Sequence, residues 1–495
     1  MSATALITAA EGFPELERLV AGAERDLCLS FRNIDPQTRL RAPELQERGL
    51  RSWGDLIAWV SRRNVRLRLL LADFDPVFAS NLHRTAWASA SGFADVVGGK
   101  TQILCAPHGQ QAGMFWRFLM RKRLRDAVRT LRSEDSTRLT PVQRAVLTSK
   151  PVLRPVTLHQ KFAIADGARC VIGGMDINER SYDDAEHDRA PEQTWHDISV
   201  ALEDRDFCGA LRGHFADCWN AAIDCGAASL AETPEPIDTT SRPQSRADLK
   251  LIRTMSKPCS GAFRLAPEPV AIDHETTLIK LFAEAERCIY IETQYLRHAA
   301  LVDALVAAGT ASLDLQLIMI LPAAPDTVLF EGDEGWDARH AHALQIRSLD
   351  RLRAAFGDRT ALLSPAQTQR APANGPKLDG AGPIYVHSKV TIVDSACALI
   401  GSANLNGRSM RWDSEASVLI RDHDFTGDLL QRLGTYWMGE DAEDGSVERA
   451  ATWWASAEKA QHTAPEGREG YLLPFPLEGG RDFSRLVPFL PDEMF

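Results

Sequence analysis

A duplicated α/β sandwich is the fold this sequence predicts: two like lobes packed about a pseudo-twofold axis, with one site at their interface. Three observations predict it. The pattern H-x-K-x4-D-x6-G-[GS]-x-[DN] occurs twice, displaced by 228 residues (159 to 387). One copy runs from His159 and Lys161 through Asp166 to Gly173-Gly174-Met175-Asp176, the other from His387 and Lys389 through Asp394 to Gly401-Ser402-Ala403-Asn404. A second stretch, Asp197 to Trp219, can be laid on Glu415 to Trp437, with Ser, Val, two Asp, Phe, Gly, Leu and Trp coinciding. Ala23-Glu24-Arg25 is echoed by Ala285-Glu286-Arg287 before Cys288. Repetition over fixed gaps outranks any local reading.

Taken in order, residues 13–25 have helical periodicity in Phe13, Leu16, Leu19 and Val20, and residues 26–34 read as a strand. A helix near 54–63 precedes the apolar alternating strand 65–73. Helix–strand alternation of this kind belongs to α/β sandwiches. Residues 114–132 form a basic helix, with Arg117, Arg121, Lys122, Arg123, Arg125, Arg129 and Arg132 against Asp126 alone. Those charges spread around the helix instead of forming one stripe, which favours a solvated face over a membrane contact. The first lobe is expected over 1–225 and a linker over 226–271, rich in Pro, Thr, Ser and Ala and lacking a period. The second lobe is expected over 272–445, with a Pro/Gly-rich loop at 364–383 near the site mouth. The tail 446–495 is expected to pack irregularly.

Composition narrows the function classes. The 495 residues are 44% apolar and 25% charged, with a net charge of −11. That acidic balance argues against an extended nucleic-acid footprint, and no nucleic-acid partner is expected. No window approaches 18 apolar residues, so no membrane-spanning helix is expected. The first twelve residues lack a basic segment and a full apolar core, so no classical signal peptide is read. A cytoplasmic or peripheral-membrane location is expected, or export by a route that reads no such signal. The nine cysteines include no C-x-x-C pair, which fits buried thiols in a reducing compartment and neither a disulfide frame nor a zinc site.

The repeated motif carries the chemistry. In a strand, residues i and i+2 face one way, so each His–Lys pair projects together. Two lobes about a twofold axis can then bring two imidazoles and two ammonium groups to one cleft. Gly174 and its neighbour, with Ser402 and Asn404, would add donors. Such a set suits a tetrahedral phosphate, with lysines and donors on the non-bridging oxygens. One imidazole attacks phosphorus while the other protonates the leaving oxygen. The lysines supply the positive charge, and neither metal nor cofactor is called for. Asp197 and Glu415 fit the role of fixing a histidine tautomer. Asp166 and Asp394 complete the catalytic motif, although seven residues from their His places them at the far end of the strand, where tying down a turn is the expected role. Glu292 and Gln294 have the strand parity to line the cleft, or to bond between lobes. His196 either touches the site or packs beside Trp195. His340 and His342, two apart, do not share a helix face and make no metal pair.

The doubled H-x-K-x4-D resembles the phospholipase D superfamily, whose members share a two-lobed α/β sandwich with one interfacial site. Gly173-Gly174-Met175-Asp176, Trp195-His196-Asp197-Ile198 and residues 289–296 (Ile-Tyr-Ile-Glu-Thr-Gln-Tyr-Leu) resemble flanking signatures of its phospholipid-cleaving branch. The resemblance covers roughly 20–440. It implies that His159 is the nucleophile forming a phosphohistidine and His387 the general acid that later activates water or an alcohol. Lys161, Lys389 and Asn404 would hold the phosphate. It also implies hydrolysis of phosphatidylcholine-like diesters to phosphatidic acid, with alcohol exchange. The expected partner is a phospholipid membrane surface, met peripherally by a monomer. Asp176 stands where the second copy has Asn404, so the two grips on phosphate are unequal. The alternatives are a cardiolipin- or phosphatidylserine-synthase-like transferase, a superfamily nuclease, and a headgroup sensor with a dead site.

Overall fold

The computed structural model describes residues 2–149, 151–240, 244–442, 447–488 and 490–495. Residues 241–243 of the expected linker, 443–446 at the expected junction of second lobe and tail, and 489 lie outside the described residues.

The first half opens with β1 (Ser2–Ile7) and α1 (Thr8–Ala21). A parallel run follows: β2 (Asp26–Phe31), α2 (Pro43–Glu47), α3 (Trp53–Ser61), β3 (Arg66–Ala72), α4 (Ser80–Ala94) and β4 (Thr101–Ala106). An excursion carries α5 (Met114–Leu119), α6 (Arg121–Ser133) and α7 (Pro141–Thr148). The chain then returns through β5 (Phe162–Ala165), β6 (Arg169–Gly173), β7 (Trp195–His196), β8 (Ile198–Glu203), α8 (Arg205–Asp224) and β9 (Ala228–Ser229). The strands form one sheet in the order β1-β8-β6-β5-β2-β3-β4-β9, with β7 outside it.

The second half repeats the plan. β10 (Leu249–Lys257), β11 (Glu268–Ile272) and α9 (Asp273–Glu284) lead to β12 (Cys288–Glu292), α10 (Ala299–Ala311) and β13 (Gln316–Ile320). After α11 (Asp326–Glu331) and α12 (Trp336–Phe356) come β14 (Thr360–Arg370), β15 (Ala381–Pro383) and β16 (Tyr385–Val386). Next are β17 (Val390–Val393), β18 (Cys397–Gly401), β19 (Glu415–Ile420) and α13 (His423–Met438). The chain finishes with α14 (Ala450–Gln461), β20 (Leu472–Pro474) and α15 (Leu477–Phe483). Its sheet runs β11-β10-β19-β18-β17-β12-β13-β14-β15, with β20 beside β14. The core order β8-β6-β5-β2-β3-β4 of the first sheet thus recurs as β19-β18-β17-β12-β13-β14.

Sequence explains the layering. Leu67, Leu69, Leu70 and Leu71 of β3 are all buried, as a parallel strand covered on both faces requires. The second repeat becomes strand, cap and helix. Asp204 accepts from the Phe207 N–H at 2.8 Å to start α8, and Asp422 accepts from the Phe425 N–H at 3.1 Å to start α13. Trp219 and Trp437 close those helices in the core. β6 and β8 lie against β18 and β19, and Ile172, Val200, Ile400 and Val418 fuse the two halves into one apolar cluster.

Three expectations shift. The stretch read as linker contains β10 and most of β11, and β10 pairs with β19 just as β1 pairs with β8; backbone hydrogen bonds to β11 and β19 hold β10 without strict side-chain periodicity. Among its described residues the tail is regular, because α14 packs on β14 and β20 adds to the second sheet. The helix over 114–132 is two: α5 rests on residues 262–264, whereas α6 turns Leu124, Val128 and Leu131 inward. All nine cysteines are free thiols. Among the described residues no helix is long and apolar enough to cross a membrane.

Candidate active site

Each H-x-K triplet immediately precedes its strand, β5 or β17, where the sequence placed it within the strand. The reason is that its backbone pairs with the opposite lobe. The His159 N–H donates to the Ser414 carbonyl at 2.9 Å, and the His387 N–H to the His196 carbonyl at 2.8 Å. A short parallel ladder, Tyr385 opposite Trp195 and Val386 opposite His196, extends the second of these joints.

The same crossing holds the rings. His159 Nδ1 lies 2.9 Å from Oε1 of Glu415, and His387 Nδ1 lies 2.6 Å from Oδ2 of Asp197. Each imidazole is thus oriented by the acid that begins the second repeat of the other lobe, leaving its Nε2 for chemistry. Gly174 makes room for this. A Cβ there would sit 2.1 Å from Oδ1 of Asp197, so a side chain would displace the carboxylate. Ser402 and Ser409 donate to the Glu415 oxygens at 2.5 and 2.6 Å. Trp195 packs on the His387 ring with centroids 4.9 Å apart.

Electrostatics ties these groups into one site. Burial pulls His159 well below the usual imidazole range, and Lys161, Arg32, Lys389 and His387 add to the effect. Burial likewise brings His387 down to about 4, with Lys389 and Lys161 adding to it and Asp197 opposing. Lys389 is lowered to about 7 by burial, and Lys161 is lowered by the same cause. Each lysine ammonium folds back to donate to the carbonyl of its own motif histidine. The acids differ. Burial works against the Asp197 charge, but His387 and Lys389 outweigh it and hold the carboxyl below its ordinary range. Burial pushes Glu415 up to about 8 despite Lys161 and the two serine hydroxyls.

Several residues expected at the substrate sit elsewhere or are occupied. Asp166 accepts from the backbone N–H groups of Glu24, Arg25 and Asp26 at 3.0, 2.7 and 3.0 Å. Asp394 does the same for Glu286, Arg287 and Cys288 at 2.9, 2.7 and 2.9 Å. Both take left-handed backbone, φ 54° and 55°, at the strand end remote from the lysines. They lock the start of the neighbouring strand, and the Ala-Glu-Arg echo is the loop they lock. The N–H groups of Gly173 and Gly174 are spent on the Lys161 and Ile198 carbonyls, and those of Gly401 and Ser402 on Lys389 and Ala416. Ser402 therefore serves Glu415. Glu292 is a buried hub that accepts from Tyr290, Ser388 and Trp437 and meets His196 Nε2 at 2.9 Å. It braces the two lobes beside His387. Gln294 donates to the hydroxyls of Tyr295 and Tyr385 and accepts from Asn404 Nδ2 at 3.2 Å. Asp176 accepts from the Asn33 N–H at 2.8 Å and lies 3.9 Å from the Lys161 ammonium. His340 and His342 lie within α12, packed on Phe495 and Phe483.

Sequence reasoning missed Arg32, which follows β2 and whose charge reaches both His159 and Lys161. The Ala23-Glu24-Arg25 echo, carried forward, lays Arg32 on Gln294, and Asp176 lies on Asn404. Where the second lobe has a neutral amide pair, the first has an arginine and an aspartate. Ser409 was missed as well, and no repeat marks it.

Comparison with known proteins agrees with this geometry. Residues 278–437 match the family model described as "Cardiolipin synthase, PLD-like domain". The chain is 24% identical over 355 residues to Phospholipase D1 of Saccharomyces cerevisiae, a match covering 54% of this chain and 20% of that protein. It is 29% identical over 224 residues to Phospholipase D zeta 2 of Arabidopsis thaliana, covering 39% and 20%. It is also 21% identical over 276 residues to Cardiolipin synthase 1 of Staphylococcus aureus, covering 55% and 45%. The chain spans about a fifth of the length of the phospholipases D that it matches. Among solved structures, phosphatidylserine synthase of Haemophilus influenzae superposes with a TM-score of 0.51 at 13% identity, over 88% of this chain and 85% of that one, and so shares the fold. With two complete motif copies joined by histidine–carboxylate pairs that cross between the lobes, and phospholipase D and cardiolipin synthase relatives matching along the chain, this protein is similar to members of the phospholipase D superfamily.

Proposed function

We propose that the pocket hydrolyses glycerophospholipids of the phosphatidylcholine kind, releasing phosphatidic acid and the free headgroup through a covalent phosphohistidine. The observation that carries this reading is the crossed pairing of His159 with Glu415 and His387 with Asp197, with the charges of Lys161 and Lys389 acting on both rings. His159 Nε2 attacks phosphorus. The bond to the headgroup oxygen breaks, and that oxygen takes a proton from His387 Nε2. His387 then takes a proton from water, the water oxygen attacks phosphorus, and the P–N bond breaks to free His159. The lysines, with Arg32, balance charge on the non-bridging oxygens.

The inequality of the two acids supports this division of labour. An ionised Asp197 stabilises the imidazolium that a general acid needs. Glu415, pushed up by burial, gives weaker support to a charge on His159 and so favours the neutral ring of a nucleophile. An anionic diester in the pocket counteracts the cations that depress His387. An alcohol in place of water would give transphosphatidylation.

A second reading, a phosphatidyltransferase of the cardiolipin or phosphatidylserine synthase kind, is favoured by the family model over residues 278–437 and differs only in the acceptor. In either case the partner would be a phospholipid surface, met peripherally by a single copy of the chain. Mass-spectrometric product analysis on mixed phospholipids tests both readings. Phosphatidic acid, with phosphatidylethanol when ethanol is added, supports hydrolysis. Cardiolipin formed from phosphatidylglycerol without phosphatidic acid supports the transferase. If neither product appears while plasmid DNA is nicked, both readings fall.

A further inference from the structure

The connection from β4 to β5, residues 107–161, carries α5, α6 and α7 on a small core of its own, formed by Val77, Ala112, Leu124, Val128 and Leu153. It leaves the C-terminal end of β4. Because β2, β3 and β4 are parallel and Ser30 of β2 lies opposite Phe162, this is also the end where Lys161 enters β5. The excursion therefore sits on the same end of the first sheet as His159.

Its outer surface is unusual for a soluble face. On α5, Met114 is 66% exposed and Phe118 62%, with Phe115 and Leu119 exposed beside them, and Phe263 is 77% exposed. Phe263 comes from the β10–β11 connection, and its ring lies 5.4 Å from that of Phe115. The two segments are fixed to each other through the backbone. The Phe115 N–H donates to the Ala262 carbonyl at 2.9 Å, the Gly113 N–H to Arg264 at 2.6 Å, and Trp116 Nε1 to the Phe263 carbonyl at 2.9 Å. Single exposed apolar side chains need no explanation, but a contiguous set presented by a fixed frame does.

Beside this tip lies α6. Arg121, Lys122, Arg125, Arg129 and Arg132 are exposed on it, and the lone acid Asp126 engages Arg129 at 3.3 Å. Arg121 lies over the Phe118 ring at 4.3 Å, so charge and apolar surface are continuous. Arg123 instead bonds Asp337 at 3.3 Å and covers Trp336, joining the excursion to the start of α12 in the second lobe. In a chain of net charge −11, this local run of cations stands against the whole.

We infer that α5, Phe263 and α6 form a docking surface for an anionic glycerophospholipid bilayer: Met114, Phe115, Phe118, Leu119 and Phe263 enter the boundary between headgroups and acyl chains, and the α6 cations neutralise the headgroups around them. The inference rests on the reading of the pocket as a phospholipid site, and adds to it how that pocket is brought to its substrate. Apolar side chains at the tip and cations behind them are the pairing that an anionic interface rewards. A nucleic acid would use the cations and leave the apolar tip in water.

Co-sedimentation with phosphatidylcholine vesicles, with and without phosphatidylglycerol, tests it. The wild-type chain binds the mixed vesicles more tightly, and added salt weakens that binding. Phe115→Ser with Phe118→Ser reduces binding by about tenfold or more, and each of Arg121→Gln, Lys122→Gln and Arg125→Gln by about fivefold at low salt. These variants keep wild-type turnover of a monomeric short-chain phosphatidylcholine, which needs no docking and shows that they fold. Variants that bind mixed vesicles like the wild type overturn the inference. So does a wild-type dimer that Phe118→Ser dissociates, since the patch would then be a self-contact. Turnover of the short-chain lipid without vesicle binding removes the docking surface and leaves the pocket reading intact. Salt-sensitive vesicle binding without turnover of any phospholipid does the reverse.

Discussion

Glu415, in the second lobe, holds Nδ1 of His159, in the first, at 2.9 Å. The reciprocal pair, Asp197 and His387, makes the site a property of both lobes at once. Neither lobe supplies the acid that holds its own motif histidine, so neither would act alone.

Substituting the orienting acids should therefore lower the chemical step and spare substrate binding. Glu415→Gln and Asp197→Asn each keep the shape of the side chain and remove its ability to ionise. Both are expected to reduce kcat by about 10–100-fold with KM little changed, as loss of a partner behind a reacting imidazole does elsewhere. Steady-state kinetics on a monomeric lipid would check this. A rise in KM with kcat intact would mean that these acids bind substrate.

The two histidines should separate when the leaving group changes. His159→Asn and His387→Asn are each expected to cost about 10³-fold or more on a phospholipid. A p-nitrophenyl phosphodiester needs no proton on its leaving oxygen. His387→Asn should still release a burst of p-nitrophenol with it, and His159→Asn should not. The reverse pattern in a stopped-flow trace would exchange their roles.

Asp166 and Asp394 should matter for stability. Asp166→Ala removes the acceptor of three backbone N–H groups and should cost on the order of 2–3 kcal/mol in urea unfolding. kcat of the folded fraction should stay at the wild-type value. A loss of kcat without a loss of stability would return Asp166 to the reacting centre.

Gly174→Ala tests the room left for Asp197. The added Cβ would fall 2.1 Å from the carboxylate oxygen, so either Asp197 or the β6 turn must move. A fall in kcat comparable to that of Asp197→Asn is expected. Unchanged kinetics would show that the carboxylate has space to spare.

Stability should depend on pH from both sides of this site. His387 is depressed from 6.5 to about 4, so the native state binds fewer protons than the unfolded chain in that interval, and stability present above pH 6.5 falls as pH drops towards 4. Glu415 is raised from 4.5 to about 8, so its contribution is full below pH 4.5 and lost as pH climbs through 8. Urea midpoints measured across this range should show the acid limb flattened in His387→Asn and the alkaline limb flattened in Glu415→Gln. Limbs that keep their slopes in both variants would count against the buried neutral imidazole and the raised carboxyl.

Much of the protein could be read from its residues in order. Motif copies at 159–176 and 387–404 disclosed the duplication, because a fold built twice needs the same residue at the same turn twice: Asp166 and Asp394 under a loop, Asp204 and Asp422 at a helix start. That the two His–Lys pairs would come together was legible in the same way, since a strand repeated about a pseudo-twofold axis carries both copies to the interface. Pairing between lobes was not legible. Spacing along the chain says which residues share a strand, but which carboxylate reaches which imidazole depends on how two sheets lie against each other, and that is decided by the packing of β6 and β8 on β18 and β19. The same packing turns Glu292 into a brace against His196, while strand pairing within each sheet spends the glycine N–H groups on carbonyls and sets Arg32 beside the first motif, all consequences of distances that exist only once the chain has folded.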